Sequence, residues 1–283
     1  MPPSLSILGC GWLGRALGAH LVEQGVSVCG STTTPEKQEA LRADGISPVL
    51  LRFAPEMTGD PGALFDASVL VLTLPPPRDV DDVTAAYTDR VQAVVDAAAE
   101  GDVEWILFTS STGVYPNVEQ TVTEADGPPG APDALPGRRR RTGRALLAVE
   151  QLLMDAPGLD ATIVRLGGLY GPGRPPGRFL AGRSNVSRPE APVNLIHQTD
   201  AVGVLTTLIE QDVRGEVFNA CADAHPTRRE FYTQAAKQLS LEPPTFDKSD
   251  STTGKTVSNQ KLKNRCGYTF AHPDPLADVT SSR

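Results

Sequence analysis

Residues 5–14 read Leu5-Ser6-Ile7-Leu8-Gly9-Cys10-Gly11-Trp12-Leu13-Gly14, and this stretch decides the fold. The short apolar run at 5–8 predicts a buried strand. Leu13, Leu17 and Leu21 then recur at helical spacing. A GxGxxG motif alone is a weak signal; one that follows a strand and opens a helix is specific. Gly9 permits a tight turn, Gly11 lets a pyrophosphate approach the backbone, and Gly14 lets helix and strand pack closely. Phosphates would then meet the positive end of the helix and its unpaired N–H groups. Trp12 and Leu13 sit in the same loop and belong to the candidate cofactor set.

Outward from this point the pattern is a repeat of strand and helix. Apolar runs at 26–29, 49–53, 69–74, 105–108, 161–166 and 217–219 predict strands, the one at 69–74 stopped by Pro75-Pro76-Pro77. Val83, Tyr87, Val91, Val94, Val95 and Ala98 mark a long amphipathic helix, and 146–154 predicts another. Thr34 is expected to cap a helix with Pro35 in its first turn, Asp200 a helix reaching Glu210, and Thr227 a helix to about Leu239. The alternation predicts an α/β protein, a Rossmann-type doubly wound parallel sheet with right-handed crossovers. Residues 167–192 are rich in Gly, Pro and Arg with no regular element expected, and the end of the chain is polar and loop-rich. The expected division is a dinucleotide-binding domain of 1–166 and 193–222 and a small C-terminal substrate-binding subdomain of 167–192 and 223–283.

The second strand ends Val28-Cys29-Gly30-Ser31-Thr32-Thr33. An NAD site commonly has a carboxylate there for the ribose 2′-hydroxyl. Here Ser31, Thr32 and Thr33 offer hydroxyls and amides, with Lys37 close by, which suits a 2′-phosphate and predicts NADP(H) over NAD(H). Ser31 to Thr34 would equally serve as a helix cap. Leu74 and Pro75, at the end of a later strand, and Arg144 complete the expected cofactor set.

Phe108-Thr109-Ser110-Ser111-Thr112-Gly113-Val114-Tyr115 resembles the Ser-rich segment of the extended short-chain dehydrogenase/reductase superfamily, whose members include nucleotide-sugar epimerases and dehydratases. Arg165-Leu166-Gly167-Gly168-Leu169-Tyr170-Gly171-Pro172-Gly173, Asn194 to Val202 and Val217-Phe218-Asn219 resemble later segments in the same order. The wording Gly-Cys-Gly-Trp-Leu-Gly and Ser-Thr-Thr-Thr is most similar to the atypical YeeZ-like branch of these NAD(P)-dependent epimerase/dehydratase proteins. The resemblance implies a substrate-orienting Ser111, a proton-exchanging Tyr and, four residues on, a Lys that lowers the Tyr pKa. Carried onto this chain, the Tyr position falls on Thr142 and the Lys position on Leu146, neither of which can do that chemistry. Tyr115, Tyr170 and His197 remain as candidates for moving the proton, each with an equally simple role in packing.

Arg174, Arg178, Arg183 and Arg188 fall in the segment that the resemblance places at the substrate pocket; Arg174, Arg178 and His197 form the expected substrate set. Arginine clamps phosphate or carboxylate with two parallel bonds, so a small anionic substrate follows, a nucleotide sugar being one form. The run Arg138-Arg139-Arg140-Arg141 reads as a solvated patch. A net charge of −8 argues against general nucleic-acid or membrane-surface binding. The four cysteines form no CxxC pair, no His/Cys/Asp spacing suits a metal, and no signal peptide is visible; reduced thiols and a cytoplasmic location are expected. The resemblance also implies a homodimer. Two functions remain open: an NADP(H)-dependent oxidoreductase or epimerase/dehydratase-like enzyme, and a non-catalytic NADP(H)-sensing regulatory protein.

Overall fold

The computed structural model describes residues 1–2, 4–53, 57–130 and 141–280. Arg138 to Arg140 of the basic run lie outside the described residues. The first half of the chain runs β1 (Ser4–Leu8), α1 (Trp12–Glu23), β2 (Ser27–Thr32), α2 (Lys37–Ala43), β3 (Ser47–Phe53), β4 (Met57–Gly59), α3 (Gly62–Phe65), β5 (Val69–Leu72) and α4 (Val83–Glu100). It continues with β6 (Trp105–Ser111), β7 (Thr121–Val122), α5 (Arg141–Met154), β8 (Asp160–Leu166), β9 (Gly168–Tyr170), β10 (Leu195–His197), α6 (Gln198–Glu210) and β11 (Val217–Ala220). The last elements are α7 (Arg228–Gln238), β12 (Thr256–Val257), α8 (Gln260–Cys266) and α9 (Pro275–Thr280).

Eight strands form one sheet in the order β11-β8-β6-β5-β1-β2-β3-β4. Every pairing is parallel except β3 with β4. The order reverses at β1, which lies between β5 and β2, so a crevice opens at the carboxyl ends of β1 and β5. Strand side chains alternate between two cores, as a period of two requires. Val69, Val71, Trp105 and Leu107 join Leu17, Leu21, Leu205 and Leu208 of α1 and α6 on one face. Leu70, Leu72, Ile106 and Phe108 join Val91, Val94, Leu147 and Leu153 of α4 and α5 on the other. The start of α4 is fixed by Asp82, whose side chain accepts from the backbone N–H of Thr84 and Ala85.

A third, smaller core gathers Tyr170, Val193, Leu195, Phe231, Ala235 and Val279, tying β9 and β10 to α7 and α9. The expectation that 167–192 lacks regular structure is corrected in one respect: β9 pairs with β10 over Gly168–Tyr170. The polar end of the chain likewise holds β12, α8 and α9. Two expected caps are also corrected. Glu36, not Thr34, is the residue preceding α2, and the Thr34 N–H instead bonds back to Thr32 Oγ1. His197, not Asp200, caps α6 by accepting from the Thr199 N–H. Asp200 lies fully buried in the first turn, where its carboxylate accepts from the N–H groups of Ala271 and His272 and from the Tyr268 hydroxyl. Among the described residues, no helix is long and apolar enough to cross a membrane.

Candidate functional site

The glycine loop is held from below by two strand ends. Gly9 has a φ of +110°, a conformation open to glycine and strained for other residues. Its N–H donates to Ser31 Oγ at 2.8 Å, and the Cys10 N–H to the Ser31 carbonyl at 2.8 Å. Thr73, just past β5, donates its hydroxyl to the Gly9 carbonyl at 2.5 Å. Gly14 packs so tightly that a Cβ there would lie 2.4 Å from the Gly9 carbonyl oxygen. A Cβ on Gly11 would meet nothing within 4 Å. The first bond of the α1 ladder runs from the Arg15 N–H to the Gly11 carbonyl, so the N–H groups of Trp12, Leu13 and Gly14 lie in the turn that has no donors' partners within the helix. An exposed, unobstructed Gly11 beside free amides at a helix N-terminus fits a dinucleotide pyrophosphate.

Above this loop lies a cleft of about 460 Å³. Gly9, Gly11, Trp12, Leu13 and Gly14 line one side, Thr73, Leu74 and Pro75 another, and Thr109, Ser110 and Ser111 at the end of β6 a third. Leu146, Gly168 and Arg174 close it. Seven of the expected cofactor residues therefore share one cleft with Ser111: Gly9, Gly11, Trp12, Leu13, Gly14, Leu74 and Pro75. Ser31 is buried beneath the loop and acts on Gly9; Thr32 is buried too, while Thr33 and Lys37 are exposed. Lys37 lines a neighbouring cleft with Cys10, Gly11 and Trp12. Arg52 of β3 donates from Nε to the Thr33 carbonyl at 3.0 Å, adding a second cation there. Arg144 is partly buried on α5 and is absent from the lining of the main cleft.

Neither candidate tyrosine lines that cleft. Tyr115 is buried, its hydroxyl donating to Asn219 Oδ1 at 2.5 Å and accepting from Arg165 Nη1 at 2.9 Å. Burial pushes its pKa up to about 12, against the pull of Arg165. Tyr170 is buried as well; its hydroxyl donates to Asp278 at 2.5 Å, and burial together with that carboxylate drives its pKa far up. Both rings therefore sit as packing residues with one satisfied polar end. Leu146, at the position where the resemblance calls for Lys, does face the cleft, and Thr142 is exposed. Ser111 Oγ accepts from the Gly113 N–H at 3.1 Å and keeps its own proton to donate.

The expected substrate residues do not come together. Arg174 lines the cleft, with its guanidinium 5.6 Å from the Trp12 ring and 5.9 Å from that of Phe179. Trp12 is itself held by Nε1–H donation to the Pro172 carbonyl at 2.8 Å. Arg178 lines a separate groove with Lys237. His197 stacks on His272 with ring centroids 3.7 Å apart. Residues that the sequence reading did not single out are Thr73, Thr109 and Arg52; Thr109 sits within the Ser-rich segment, whereas Thr73 and Arg52 come from strand ends that no local motif marks.

Comparison with known proteins agrees with this geometry. Residues 6–221 match the family described as NAD dependent epimerase/dehydratase family. The chain is 41% identical to Protein YeeZ of Escherichia coli (strain K12), over 96% of this chain and 97% of that one. Among solved structures, a functionally unknown conserved protein from Silicibacter pomeroyi DSS superposes with a TM-score of 0.76 at 27% identity, covering 98% of this chain and 96% of its own. MoeE5 in complex with UDP-glucose and NAD does so with a TM-score of 0.73 at 20% identity, covering 98% and 97%. A glycine loop at the sheet's reversal point, a cleft ending on a Ser-rich strand and a match over most of the chain lead to one assignment: the chain belongs to the NAD dependent epimerase/dehydratase family.

Proposed function

We propose that the protein is an NADP(H)-dependent oxidoreductase of epimerase/dehydratase type acting on a small anionic substrate. The observation that carries this reading is the shared cleft, in which the glycine loop and Ser111 face the same space. Gly9, Gly11 and Gly14, with Trp12 and Leu13, would hold the dinucleotide pyrophosphate, and Leu74 and Pro75 would line its path. Ser31 acts beneath them by fixing Gly9. Thr33, Lys37 and Arg52 would meet a 2′-phosphate, because the end of β2 carries no carboxylate and two cations stand beside it. When bound, the dinucleotide supplies a hydride acceptor or donor. Ser111 would donate its hydroxyl hydrogen to a substrate oxygen and so orient the carbon that exchanges hydride. Arg174 would face the negative charge of cofactor or substrate across the cleft. The four free thiols, three of them buried, support the expected reducing cytoplasm.

A second reading has one observation in its favour. Among the described residues lining the cleft, the polar side chains are hydroxyls, the indole and Arg174, with no carboxylate, imidazole or lysine among them. Leu146 occupies the place of a lysine, and both tyrosine hydroxyls are bonded elsewhere. A protein so built would bind NADP(H) and report on it without turnover.

Nicotinamide absorbance under a panel of phosphorylated and nucleotide-linked sugars separates the two. The enzyme reading requires turnover that falls at least roughly tenfold in Ser111→Ala with NADPH affinity unchanged, a loss of about 1.4 kcal/mol in transition-state binding. Tight NADPH binding with no turnover across the panel supports the sensor.

A further inference from the structure

Trp12 follows Gly11 directly and opens α1, yet its polar contacts run to distant parts of the chain. Its indole Nε1–H donates to the Pro172 carbonyl at 2.8 Å, and its own carbonyl accepts from Gln198 Nε2, at the start of α6, at 2.9 Å. Pro172 lies in a tight turn, which the Arg174 N–H closes on the Gly171 carbonyl at 2.9 Å. Proline at the second position of this turn and glycine at the third, Gly173 with a φ of +72°, are the residues such a turn calls for. The following segment is fixed on α7, where Gly177 is buried so closely that a Cβ would overlap the Ala235 carbonyl. Arg174 leaves this braced turn to line the cofactor cleft. Its guanidinium lies 5.6 Å from the centre of the Trp12 ring and 5.9 Å from that of Phe179. Among the described residues it donates no hydrogen bond and pairs with no carboxylate, and no Asp or Glu lines the cleft. Aromatic faces hold a cation without occupying its N–H donors, so those of Arg174 stay available.

We propose that Trp12 is a positioning residue: its indole holds the turn of Gly171 to Arg174 against the glycine loop and seats the Arg174 guanidinium, so that Arg174 closes on the dinucleotide pyrophosphate from the side opposite α1. The seat belongs to the pyrophosphate turn itself, because the Trp12 N–H is one of the unpaired amides at the start of α1. A guanidinium tethered there meets phosphate oxygens with paired donors, and holding it in place beforehand reduces the entropy lost on binding. The substrate loop thereby becomes part of the cofactor site, and Arg174 passes from the expected substrate set to the cofactor. The proposal rests on the reading that a nicotinamide dinucleotide occupies the cleft.

Calorimetric titration of NADPH and of NADH into the wild type, Arg174→Gln, Trp12→Leu, Trp12→Phe and the double variant Trp12→Leu with Arg174→Gln tests it, beside urea unfolding of each protein. The pyrophosphate is common to both dinucleotides, so Arg174→Gln should weaken NADPH and NADH by the same factor, roughly tenfold, at an unchanged urea midpoint. Trp12→Leu should lose about as much, whereas Trp12→Phe keeps a ring beside Arg174 and should stay within about threefold of the wild type. The double variant should bind within about twofold of the weaker single one, because the two residues act as one device. Unchanged dinucleotide affinity in Arg174→Gln returns Arg174 to the substrate and overturns the proposal. Losses that multiply in the double variant, or Trp12→Phe as weak as Trp12→Leu, overturn the seat. Arg174→Gln changes an exposed side chain on the turn, so it decides the pyrophosphate contact even where Trp12→Leu fails to fold. A wild type that binds neither dinucleotide overturns the proposed function and this inference with it; wild-type binding with none of the expected losses overturns this inference alone.

Discussion

Arg165 and Glu150 form an ion pair with no exposure of either side chain, Nη2 to Oε2 at 2.5 Å. β8 delivers the guanidinium and α5 the carboxylate, so the pair pins the helix against the sheet directly behind the Ser-rich strand. Ser110 donates its hydroxyl to Glu150 Oε1 at 2.5 Å, and Arg165 reaches the Gly127 carbonyl and Tyr115 with its remaining donors. The adjacent Ser111 is thereby placed at the cleft while its neighbour is anchored in the core. Glu150→Gln leaves a buried guanidinium without its counter-charge and is expected to destabilise by about 3–5 kcal/mol. Urea unfolding measures it; a loss below about 1 kcal/mol would show the pair to be dispensable.

Tyr115→Phe separates packing from catalysis. It removes the hydroxyl that joins Asn219 to Arg165 and should cost about 1–3 kcal/mol in urea unfolding. NADPH affinity and any turnover should survive, because the hydroxyl is turned into the core. A selective collapse of turnover with normal stability would return Tyr115 to the list of proton donors.

Gly11 and Gly14 lie three residues apart and should respond oppositely to Ala. At Gly14 the new methyl collides with the Gly9 carbonyl, so Gly14→Ala is expected to distort the loop and lower stability by several kcal/mol. At Gly11 the methyl enters open space, so stability should change by less than about 1 kcal/mol. NADPH binding should nonetheless weaken at least roughly tenfold, because the methyl stands where a pyrophosphate would approach. Fluorescence titration beside thermal unfolding reads both variants; unchanged NADPH affinity in Gly11→Ala would remove the loop from the binding site.

Lys37 and Arg52 carry the cofactor preference. Lys37→Met and Arg52→Met should each weaken NADPH roughly tenfold and leave NADH unchanged within about twofold, since only the 2′-phosphate distinguishes the two ligands. Parallel titrations decide it, and tighter NADH than NADPH binding by the wild type would refute the preference outright.

These contrasts also show what a linear reading can see. The glycine loop was legible because strand, turn and helix that make it are contiguous from Ser4 to Glu23. The order of strands and helices followed from the same local periodicities. What escaped is long-range. Arg52 meets Thr33 only because β3 pairs with β2, and Trp12 meets Pro172 only because the loop after β9 folds back over the start of α1. Asp200 precedes an apolar helical stretch and so resembles a cap, yet its partners lie about seventy residues on. The helices α8 and α9 are short and bury few side chains, too little periodicity to stand out from loop.

His197 gives the fold a dependence on pH. Burial, then the charge of neighbouring His272, lower its pKa, while Asp278 and Asp200 oppose the shift. Its Nδ1 must be unprotonated to accept from the Thr199 N–H and cap α6. An unfolded histidine titrates at about 6.5. Between that value and the lower folded pKa the unfolded chain binds the extra proton and the folded chain does not. Stability is therefore complete above about pH 6.5, falls as the pH drops through this window, and levels off below the folded pKa. His225, also lowered by burial, adds to the same slope. His197→Asn keeps an oxygen that can accept the capping bond but cannot titrate. Melting temperatures measured between about pH 5 and pH 7.5 should fall less steeply in this variant than in the wild type, with His225 supplying the slope that remains. Parallel curves for the two proteins would mean that His197 titrates alike in the folded and unfolded chains, and that the cap of α6 is insensitive to protonation.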